Sequence, residues 1–277
     1  MTSAALAELV TTAIDAALAA GREILDVYAG PIAVERKDDH SPLTEADRRA
    51  HRAIVAALEG TGLPLLSEEG RELPAAERRD WPRYWLVDPL DGTKEFVRRN
   101  GEFTVNIALM ERVTEPTGPE GVAVPVGGVL LAPARDLLYY GWRGGGAWRQ
   151  EGPLAAGDPL AGRQAASRRL PDAPPRAVWT IVASRSHPSP ETEAFIQAAE
   201  REHGEVALTS MGSALKICLV AEGAADVYPR FAPTMEWDTA AGHALALEAG
   251  RDLVDPHTGG PLRYNKLDLV NPWFVVR

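Results

Sequence analysis

Two aspartates, Asp88 and Asp91, stand three residues apart directly after the apolar run 84–87. The run predicts a buried strand, so both carboxylates would leave a sheet at one end, across a turn that contains Pro89 and Gly92. Carboxylate and carbonyl oxygens are the ligands that magnesium prefers in proteins. This spacing therefore predicts that the two carboxylates converge on one hard divalent cation.

Two further groups of the same segment suit that chemistry. The carbonyl of Leu90 offers a third oxygen, and the hydroxyl of Thr93 lies one step beyond, where a nucleophilic water would need orienting. A plain alternative stays open, because Asp-Gly after an apolar strand is also a common hairpin turn and needs no metal. What favours the metal site is the supply of acids at the ends of other predicted elements.

Those acids lie in three places along the chain. The pair Glu68-Glu69 follows a short apolar strand, although an acidic pair there is most often only solvated. Asp238 opens a predicted helix as its N-cap, and capping alone would explain it. Asp47 stands three residues after Thr44, as the inner partner in a pattern close to a capping box. Together these positions predict a site rich in oxygen ligands.

The hydrophobic pattern predicts the elements that must position these side chains. Apolar residues at three- and four-residue spacing predict helices over residues 3–28 and 44–58. Short apolar runs bounded by turn residues predict strands of one sheet. These strands are expected at residues 63–66, 84–87, 104–110, 126–131 and 137–142, with a hairpin turn rather than a phosphate-binding loop at 144–146.

Beyond residue 176 strands and helices alternate, which is typical of an α/β unit. Strands are expected at 178–183, 206–209, 226–228 and 273–276, and helices at 190–202, 213–222 and 238–249. The stretch before this unit is rich in Pro, Ala and Arg, which suits a boundary. We therefore predict an α/β (α+β) layered sandwich with an N-terminal domain over 1–155, a linker over 156–175 and a C-terminal domain over 176–277.

Composition limits the classes of function. The chain has 277 residues, 45% hydrophobic and 25% charged, as in an ordinary globular protein. Its formal net charge of −10 argues against a nucleic-acid polymer as partner. The single cysteine, Cys218, excludes a disulfide framework and a thiolate zinc site, and its apolar setting predicts a core residue. Because no apolar run approaches about 20 residues, we expect a cytoplasmic protein without a transmembrane segment.

Taken together, the motifs resemble those of the inositol monophosphatase superfamily of magnesium-dependent phosphatases and, within it, of the CysQ-type 3'(2'),5'-bisphosphate nucleotidases. The similarity covers nearly the whole chain and is most specific at residues 88–93 and 237–238. It is carried by residues 41–47, 66–69, 85–96, 100–106, 184–187, 212–216 and 236–242. The resemblance implies the sugar-phosphatase fold, a sandwich with layers in the order αβαβα and the metals at the junction of its two halves.

The resemblance also implies a role for each acid. The metal ligands would be Glu68, Asp88, the Leu90 carbonyl, Asp91 and Asp238, holding two or more Mg²⁺ ions about 3.5–4 Å apart. Whether Glu69 contributes through a water stays open. Thr93 would hold the attacking water while Asp47 accepts its proton through the Thr93 hydroxyl.

The remaining implied roles concern the substrate, whose phosphate would meet the backbone N–H groups of Gly92 and Thr93. Further substrate contacts would be His187, Ser213, Lys216 and Arg230 in the second half, together with the metal-site residues Glu68, Leu90, Asp91 and Asp238. A plainer alternative is that Lys216 only covers a helix face and that Arg230 pairs with a nearby acid. His243 is expected to be packed rather than functional.

The implied activity is hydrolysis of the 3'-phosphate of adenosine 3',5'-bisphosphate (PAP) to AMP and phosphate, in sulfur assimilation, with conversion of the sulfated analogue PAPS to APS as a further reaction. The alternatives within the superfamily are an inositol-1-monophosphatase and a fructose-1,6-bisphosphatase. The alternative of another class is a non-catalytic metal and nucleotide binder, which predicts a broken site. A homodimer, inhibition by lithium and peripheral attachment to the cytoplasmic face of the inner membrane are compatible with the resemblance.

Overall fold

The computed structural model describes residues 1–36, 42–113, 122–183 and 189–277. His187, a predicted substrate contact, lies outside these described residues, as does the loop at 114–121. Two long helices open the chain, α1 (Ser3–Ala29) and α2 (Glu45–Leu58), with a small hairpin of β1 (Glu35–Arg36) and β2 (Pro42–Leu43) between them. Both helices were predicted from their apolar spacing, and both predictions are confirmed.

The start of α2 shows why that helix begins where it does. Thr44 is the N-cap, and its hydroxyl accepts a 3.2 Å hydrogen bond from the backbone N–H of Ala46. In return, Oδ2 of Asp47 accepts the backbone N–H of Thr44 at 2.7 Å. The predicted capping pattern is therefore confirmed, and it fixes the orientation of the Asp47 carboxylate.

A seven-stranded sheet forms the centre of the molecule. Its strands follow one another in chain order, all antiparallel except the first pair. They are β3 (Leu65–Ser67), β4 (Arg83–Asp91), β5 (Thr104–Arg112), β6 (Ala123–Ala132), β7 (Leu137–Trp142), β8 (Gly146–Glu151) and β9 (Arg168–Arg169). Short helices α3 (Ala75–Arg78), α4 (Thr93–Val97) and α5 (Leu160–Ala165) lie in its connections. The prediction of one sheet is confirmed, as is the hairpin turn at 144–146, whereas β8 and β9 were not predicted.

The C-terminal part adds the remaining layers. Its elements are β10 (Trp179–Val182), α6 (Pro190–His203), β11 (Val206–Thr209), α7 (Leu215–Ala221), β12 (Tyr228–Arg230), α8 (Glu236–Glu248), β13 (Leu253–Val254) and β14 (Phe274–Val276). Strands β10 and β11 are parallel, and β14 pairs with β12 and β13. The predicted alternation is confirmed, with β13 as an addition.

Apolar residues on both faces of the central sheet hold these layers together. One face is covered by α1 and α2, and the other by α7 and α8. The C-terminal strands pack on α7 and α8, and α6 packs on those strands. The layer order is therefore helix, sheet, helix, strand, helix, as the fold prediction has it. Gly128 on β6 allows the close approach of α8, because a Cβ there would lie 2.4 Å from the carbonyl oxygen of Ala241.

The segment expected to be a linker contains regular structure at the sheet edge. Helix α5 and strand β9 lie within it, and β9 pairs with β8. The guanidinium of Arg163 is buried there and donates to Gln150 Oε1 at 3.0 Å and to the Ala155 carbonyl at 2.6 Å. These contacts attach the segment to the N-terminal sheet, while the division into two domains stays a prediction.

Helix α1 is long and apolar enough to be compared with a membrane-spanning helix. By length and composition it could cross a membrane, and 50% of its most apolar window is buried inside the fold. Core helices of folded proteins pass the same test, and the buried residues of α1 pack against α2 and the sheet.

Candidate active site

A cavity of about 840 Å³ opens where the end of β4 faces the start of α7, β12 and the start of α8. Sequence-predicted residues from both halves line it. They are Glu68, Asp88, Leu90, Asp91, Gly92, Thr93, Ser213, Lys216, Arg230 and Asp238. The fold therefore brings together residues that are up to 170 positions apart in the chain.

The end of β4 is irregular in a way that serves the cavity. The pairing of β4 with β5 shifts its register between Asp88 and Asp91, so Pro89 and Leu90 leave the ladder. Asp88 is buried, and its Oδ1 accepts the backbone N–H of Leu90 at 3.0 Å. The chain then enters α4 through Gly92, whose φ of +88° is left-handed. The alternative of a plain hairpin at this turn is therefore wrong, because α4 stands between β4 and β5.

Asp91 is held from the other half of the molecule. Its Oδ2 accepts the backbone N–H of Ala214 at 2.7 Å and lies 3.4 Å from Nδ2 of Asn106. Its backbone carbonyl accepts the hydroxyl of Ser213 at 2.7 Å. The turn before α7 thus fixes the orientation of this carboxylate.

The prediction that Asp238 is the N-cap of its helix is wrong. Helix α8 begins at Glu236 with Met235 as N-cap, and Asp238 lies in the first turn, where its Oδ2 accepts the Met235 N–H at 2.9 Å. The helix starts earlier because the buried Glu236 carboxylate accepts the backbone N–H groups of Asn265 and Lys266 at 2.7 and 3.1 Å. Asp238 nevertheless lines the cavity.

The electrostatics of these acids favour the binding of a cation. Burial raises the pKa of Asp88 well above its ordinary value, and the charges of Glu68, Asp91 and Asp238 raise it further. Burial, followed by the charge of Asp91, raises the pKa of Asp238 to about 8. Burial also raises the pKa of Asp91, against the opposing effect of Lys216. Ionised carboxylates this close together need a compensating cation.

The donor set fits magnesium. Among the described residues, no group of three or more His, Cys, Asp or Glu side chains is arranged to hold a metal ion by itself. Backbone N–H groups orient the three aspartates, and the cavity is open to solvent and substrate on one side. Magnesium usually takes one or two carboxylates and completes its shell with waters and phosphate oxygens, so an open, oxygen-only site suits it.

Asp47 and Thr93 meet beside these acids. The Thr93 hydroxyl lies 3.5 Å from Asp47 Oδ1 and 3.5 Å from the carbonyl of Leu90. Asp47 is buried, and its other oxygen serves the helix cap. The carboxylate can therefore cap α2 and accept from Thr93 at once, so capping alone does not account for it.

Two cations, Lys216 and Arg230, also line the cavity. Burial lowers the pKa of Lys216, although nearby Asp91 opposes that shift, and its Nζ donates to the Met211 carbonyl at 3.4 Å. Arg230 donates to the Pro233 carbonyl at 3.2 Å, and its buried Nε has no hydrogen-bond partner in the described chain. A buried guanidinium N–H without a partner is a ready donor for an anionic ligand.

Sequence reasoning assigned no role to several other lining residues. Lys94 lies on α4 and Arg98 is the C-cap of that helix, while Glu102 is buried in an ion pair with Arg135 at 3.0 Å. Phe231 adds an apolar surface. Lys94 lies within residues 85–96, which carry the family resemblance, but nothing in the sequence shows that the short helix α4 borders a cavity.

Two predicted core residues are confirmed away from the site. Cys218 is buried, and burial raises its pKa well above the ordinary value. His243 is buried between Asp252 and Tyr264, with its ring nitrogens 2.8 and 2.9 Å from their oxygens, and burial lowers its pKa. Both side chains are part of the packing.

Comparison with known proteins places this geometry in context. The model of the inositol monophosphatase family matches residues 5–273. The 3'(2'),5'-bisphosphate nucleotidase CysQ of Salmonella typhimurium is 46% identical over 263 residues, which are 93% of this chain and 94% of that protein. The enzyme of the same name from Escherichia coli K12 is 44% identical over the same shares. The crystal structure of CysQ from Bacteroides thetaiotaomicron matches with a TM-score of 0.85 and 52% identity, over 97% of this chain and 96% of that one.

Proposed function

The chain belongs to the inositol monophosphatase family, and we propose that it is a magnesium-dependent 3'(2'),5'-bisphosphate nucleotidase that converts PAP to AMP and phosphate. The observation that carries the proposal is the placement of Asp88, Asp91 and Asp238 around one cavity that also contains Lys216 and Arg230. Relatives that carry the nucleotidase name over more than nine-tenths of both chains support it.

The acids supply the metal site. Glu68, Asp88, Asp91 and Asp238, with the Leu90 carbonyl, would hold two or more Mg²⁺ ions. Bound magnesium would neutralise charge on the transferred phosphoryl group and activate water for attack. The chain's own part is to keep these oxygens oriented before substrate arrives, which the backbone N–H bonds to the three aspartates do.

Asp47 and Thr93 handle the proton. As the attacking water bonds to phosphorus, it passes a proton to the Thr93 hydroxyl, which passes its own proton to Asp47, whose Oδ1 is 3.5 Å away. Asp47 suits this task because Thr44 fixes its other oxygen. The N–H groups of Gly92 and Thr93 would bind the phosphate in the same turn.

Lys216 and Arg230 would bind the second phosphate of the substrate. Both side chains line the same cavity as the acids, and Arg230 has a buried N–H to donate. A point charge and a guanidinium suit the second phosphate of a bisphosphate nucleotide. A contact from His187 stays a prediction.

The rival activities differ from the proposed one in how their substrates would use Lys216 and Arg230. Inositol monophosphate and fructose bisphosphate would use the same acids, but inositol monophosphate carries no second phosphate for Lys216 and Arg230. A non-catalytic binder would not need Asp47 and Thr93 in contact. We further propose that PAPS is a second substrate, that the reaction belongs to sulfur metabolism and that it takes place in the cytoplasm. The homodimer and the peripheral membrane attachment stay predictions.

The deciding experiment compares phosphate release from PAP, inositol 1-phosphate and fructose 1,6-bisphosphate, each with Mg²⁺ and with EDTA. We expect strong, EDTA-sensitive preference for PAP. Preference for a sugar or inositol phosphate would keep the metal site and reject the nucleotide assignment. No turnover of any of the three would favour the non-catalytic binder.

A further inference from the structure

Helix α8, which carries Asp238, is held at its start by a buried carboxylate. Glu236 is 0% exposed and lies outside the lining of the cavity. Its Oε2 accepts the backbone N–H of Asn265 at 2.7 Å, and its Oε1 accepts the backbone N–H and the Nζ of Lys266 at 3.1 and 2.5 Å. Hydrogen bonds to a buried carboxylate are strong, because water does not compete for them. The first residue of α8 is therefore fixed to the loop at 265–266.

The same loop is fixed to the N-terminal half by a buried guanidinium. Arg78, the last residue of α3, is 2% exposed and donates to Asn265 Oδ1 at 2.7 Å. It also donates to the carbonyls of Lys266 and Leu267 at 2.6 and 3.1 Å, and its own carbonyl accepts Nδ2 of Asn265 at 3.1 Å. Asn265 thus bonds to Arg78 through its side chain and to Glu236 through its main chain. Glu236, Asn265 and Arg78 together form a buried clasp between the two halves.

The buried clasp joins the chain segments that carry the proposed metal ligands. Helix α3 lies between β3, which Glu68 follows, and β4, which contains Asp88. At the other end of the clasp, Asp238 lies two residues after Glu236, in the first turn of α8. Buried polar groups whose hydrogen bonds are satisfied give a rigid connection. The position of Asp238 relative to the acids of the sheet therefore depends on the buried clasp.

The far end of α8 is held by a carboxylate in a similar way. Glu248 accepts the backbone N–H of Gly144 at 3.2 Å and that of Gly146 at 2.9 Å. This residue lies ten positions beyond Asp238, which is about 15 Å along a helix. Each end of α8 is thus fixed by a glutamate that accepts main-chain N–H groups, but only Glu236 lies beside a proposed metal ligand.

We propose that Glu236 is a positioning residue for the metal site. Through the buried clasp it holds Asp238 where that carboxylate and the acids of the sheet can share Mg²⁺, and Glu236 itself contacts neither metal nor substrate. The inference rests on the proposed function in one respect, that Asp238 is a metal ligand. It adds a determinant of Mg²⁺ affinity that lies outside the cavity.

The test uses two variants that weaken the buried clasp at different points. Glu236→Gln keeps the shape of the side chain but removes its charge, and it turns an amide donor toward the donors of the loop. Asn265→Gly keeps the main-chain N–H that Glu236 accepts, suits the left-handed φ of +64° and removes the side-chain bonds to Arg78. Mg²⁺ binding is measured by titration calorimetry without substrate.

We expect both variants to bind Mg²⁺ about three- to tenfold more weakly, which is less than the about 10–100-fold that direct partners of a metal ligand contribute. The Mg²⁺ concentration that gives half-maximal kcat on PAP should rise by the same factor. If Glu236→Gln does not fold, Asn265→Gly decides the inference by itself.

The matched control is Glu248→Gln, which removes the same charge at the far end of α8 and should leave Mg²⁺ affinity unchanged. Unchanged affinity in a folded clasp variant would overturn the inference, and so would an equal loss in Glu248→Gln, which would indicate a general loosening of α8. The unchanged protein separates the two proposals. If it binds Mg²⁺ and the clasp variants bind equally well, this inference alone fails, whereas no Mg²⁺ binding by the unchanged protein would reject the proposed metal site and the inference with it.

Discussion

The cavity is lined by two sets of side chains that are held in different ways: Asp88, Asp91 and Asp238 form its acidic side, and Lys216 and Arg230 form its cationic side. On the acidic side, Asp88, Asp91 and Asp238 each accept a backbone N–H at 2.7–3.0 Å. On the cationic side, Lys216 donates across 3.4 Å and Arg230 keeps a buried N–H without a partner among the described residues. Main-chain bonds set the acids in place before any ligand binds, whereas a ligand would complete the bonding of the cations. Under the proposed function, the acids serve the reaction and the cations serve the choice of substrate.

The largest expected effect comes from breaking the acidic side. Asp91→Asn keeps the shape of the side chain but removes the charge that a divalent cation needs. Residues that only support metal ligands cost about 10–100-fold when changed, so we expect a loss above about 100-fold in kcat and in Mg²⁺ affinity. Steady-state kinetics against Mg²⁺ concentration measure both. Unchanged phosphate release would reject Asp91 as a ligand.

The second effect concerns the proton path within that side. Thr93→Ala removes the hydroxyl that faces Asp47 at 3.5 Å. Loss of general-base assistance costs about 10²–10⁴-fold, and we expect kcat to fall near the lower end of that range with little change in KM. Thr93→Ser, which keeps a hydroxyl, is the matched control. Equal activity of the Ala and Ser variants would remove Thr93 from the mechanism.

The third prediction concerns Lys216 on the cationic side and the KM for PAP. Lys216→Ala should raise the KM for PAP about 10- to 100-fold, because a charge-assisted hydrogen bond contributes about 1.5–3 kcal/mol. The KM for inositol 1-phosphate, with no second phosphate, should change less. Parallel kinetics on the two substrates give the ratio. Equal losses on both would take Lys216 out of the selective half of the cavity.

The smallest effect is on stability without metal. Burial raises the pKa of Asp238 to about 8, whereas an aspartate in an unfolded chain titrates near pH 3.9. Between these two pH values the folded state binds more protons than the unfolded state. The free energy of unfolding therefore falls as the pH rises, until Asp238 is ionised in the folded state above about pH 8. In EDTA we expect the Tm to fall by about 2–4 °C or more from pH 6 to pH 9.

Two controls accompany that melting experiment. Excess Mg²⁺ should reduce the fall in Tm, since the cation replaces the protons. Asp238→Asn, which cannot titrate, should also reduce it. A Tm in EDTA that stays level from pH 6 to pH 9 would contradict the electrostatic account of the acidic side.

What the sequence predicts well is set by local patterns. The apolar spacing of α1, the cap of α2 and the acids after β4 each depend on neighbours within a few residues, and all three were found from sequence. The contact of Asp47 with Thr93 was proposed from resemblance, since 46 positions separate the two.

What the sequence misses depends on distant partners. Strand β8 has too few apolar residues to predict a strand, and pairing with β7 forms it. Helix α8 starts two residues before Asp238 because Glu236 finds its partners in Asn265 and Lys266, 29 and 30 positions away. The opposing half that orients Asp91 is likewise visible only in the fold.

The close contact under α8 has a consequence for engineering. Replacing glycine by alanine is a common route to a more heat-resistant enzyme, because it restricts the unfolded chain. Gly128 would meet the simple criteria for such a change, since it is buried and lies in a strand without a left-handed φ. Yet a methyl group there would press on the carbonyl of Ala241, one helical turn from Asp238. A stabilisation campaign that ignored this contact would shift the helix that carries Asp238, a proposed metal ligand.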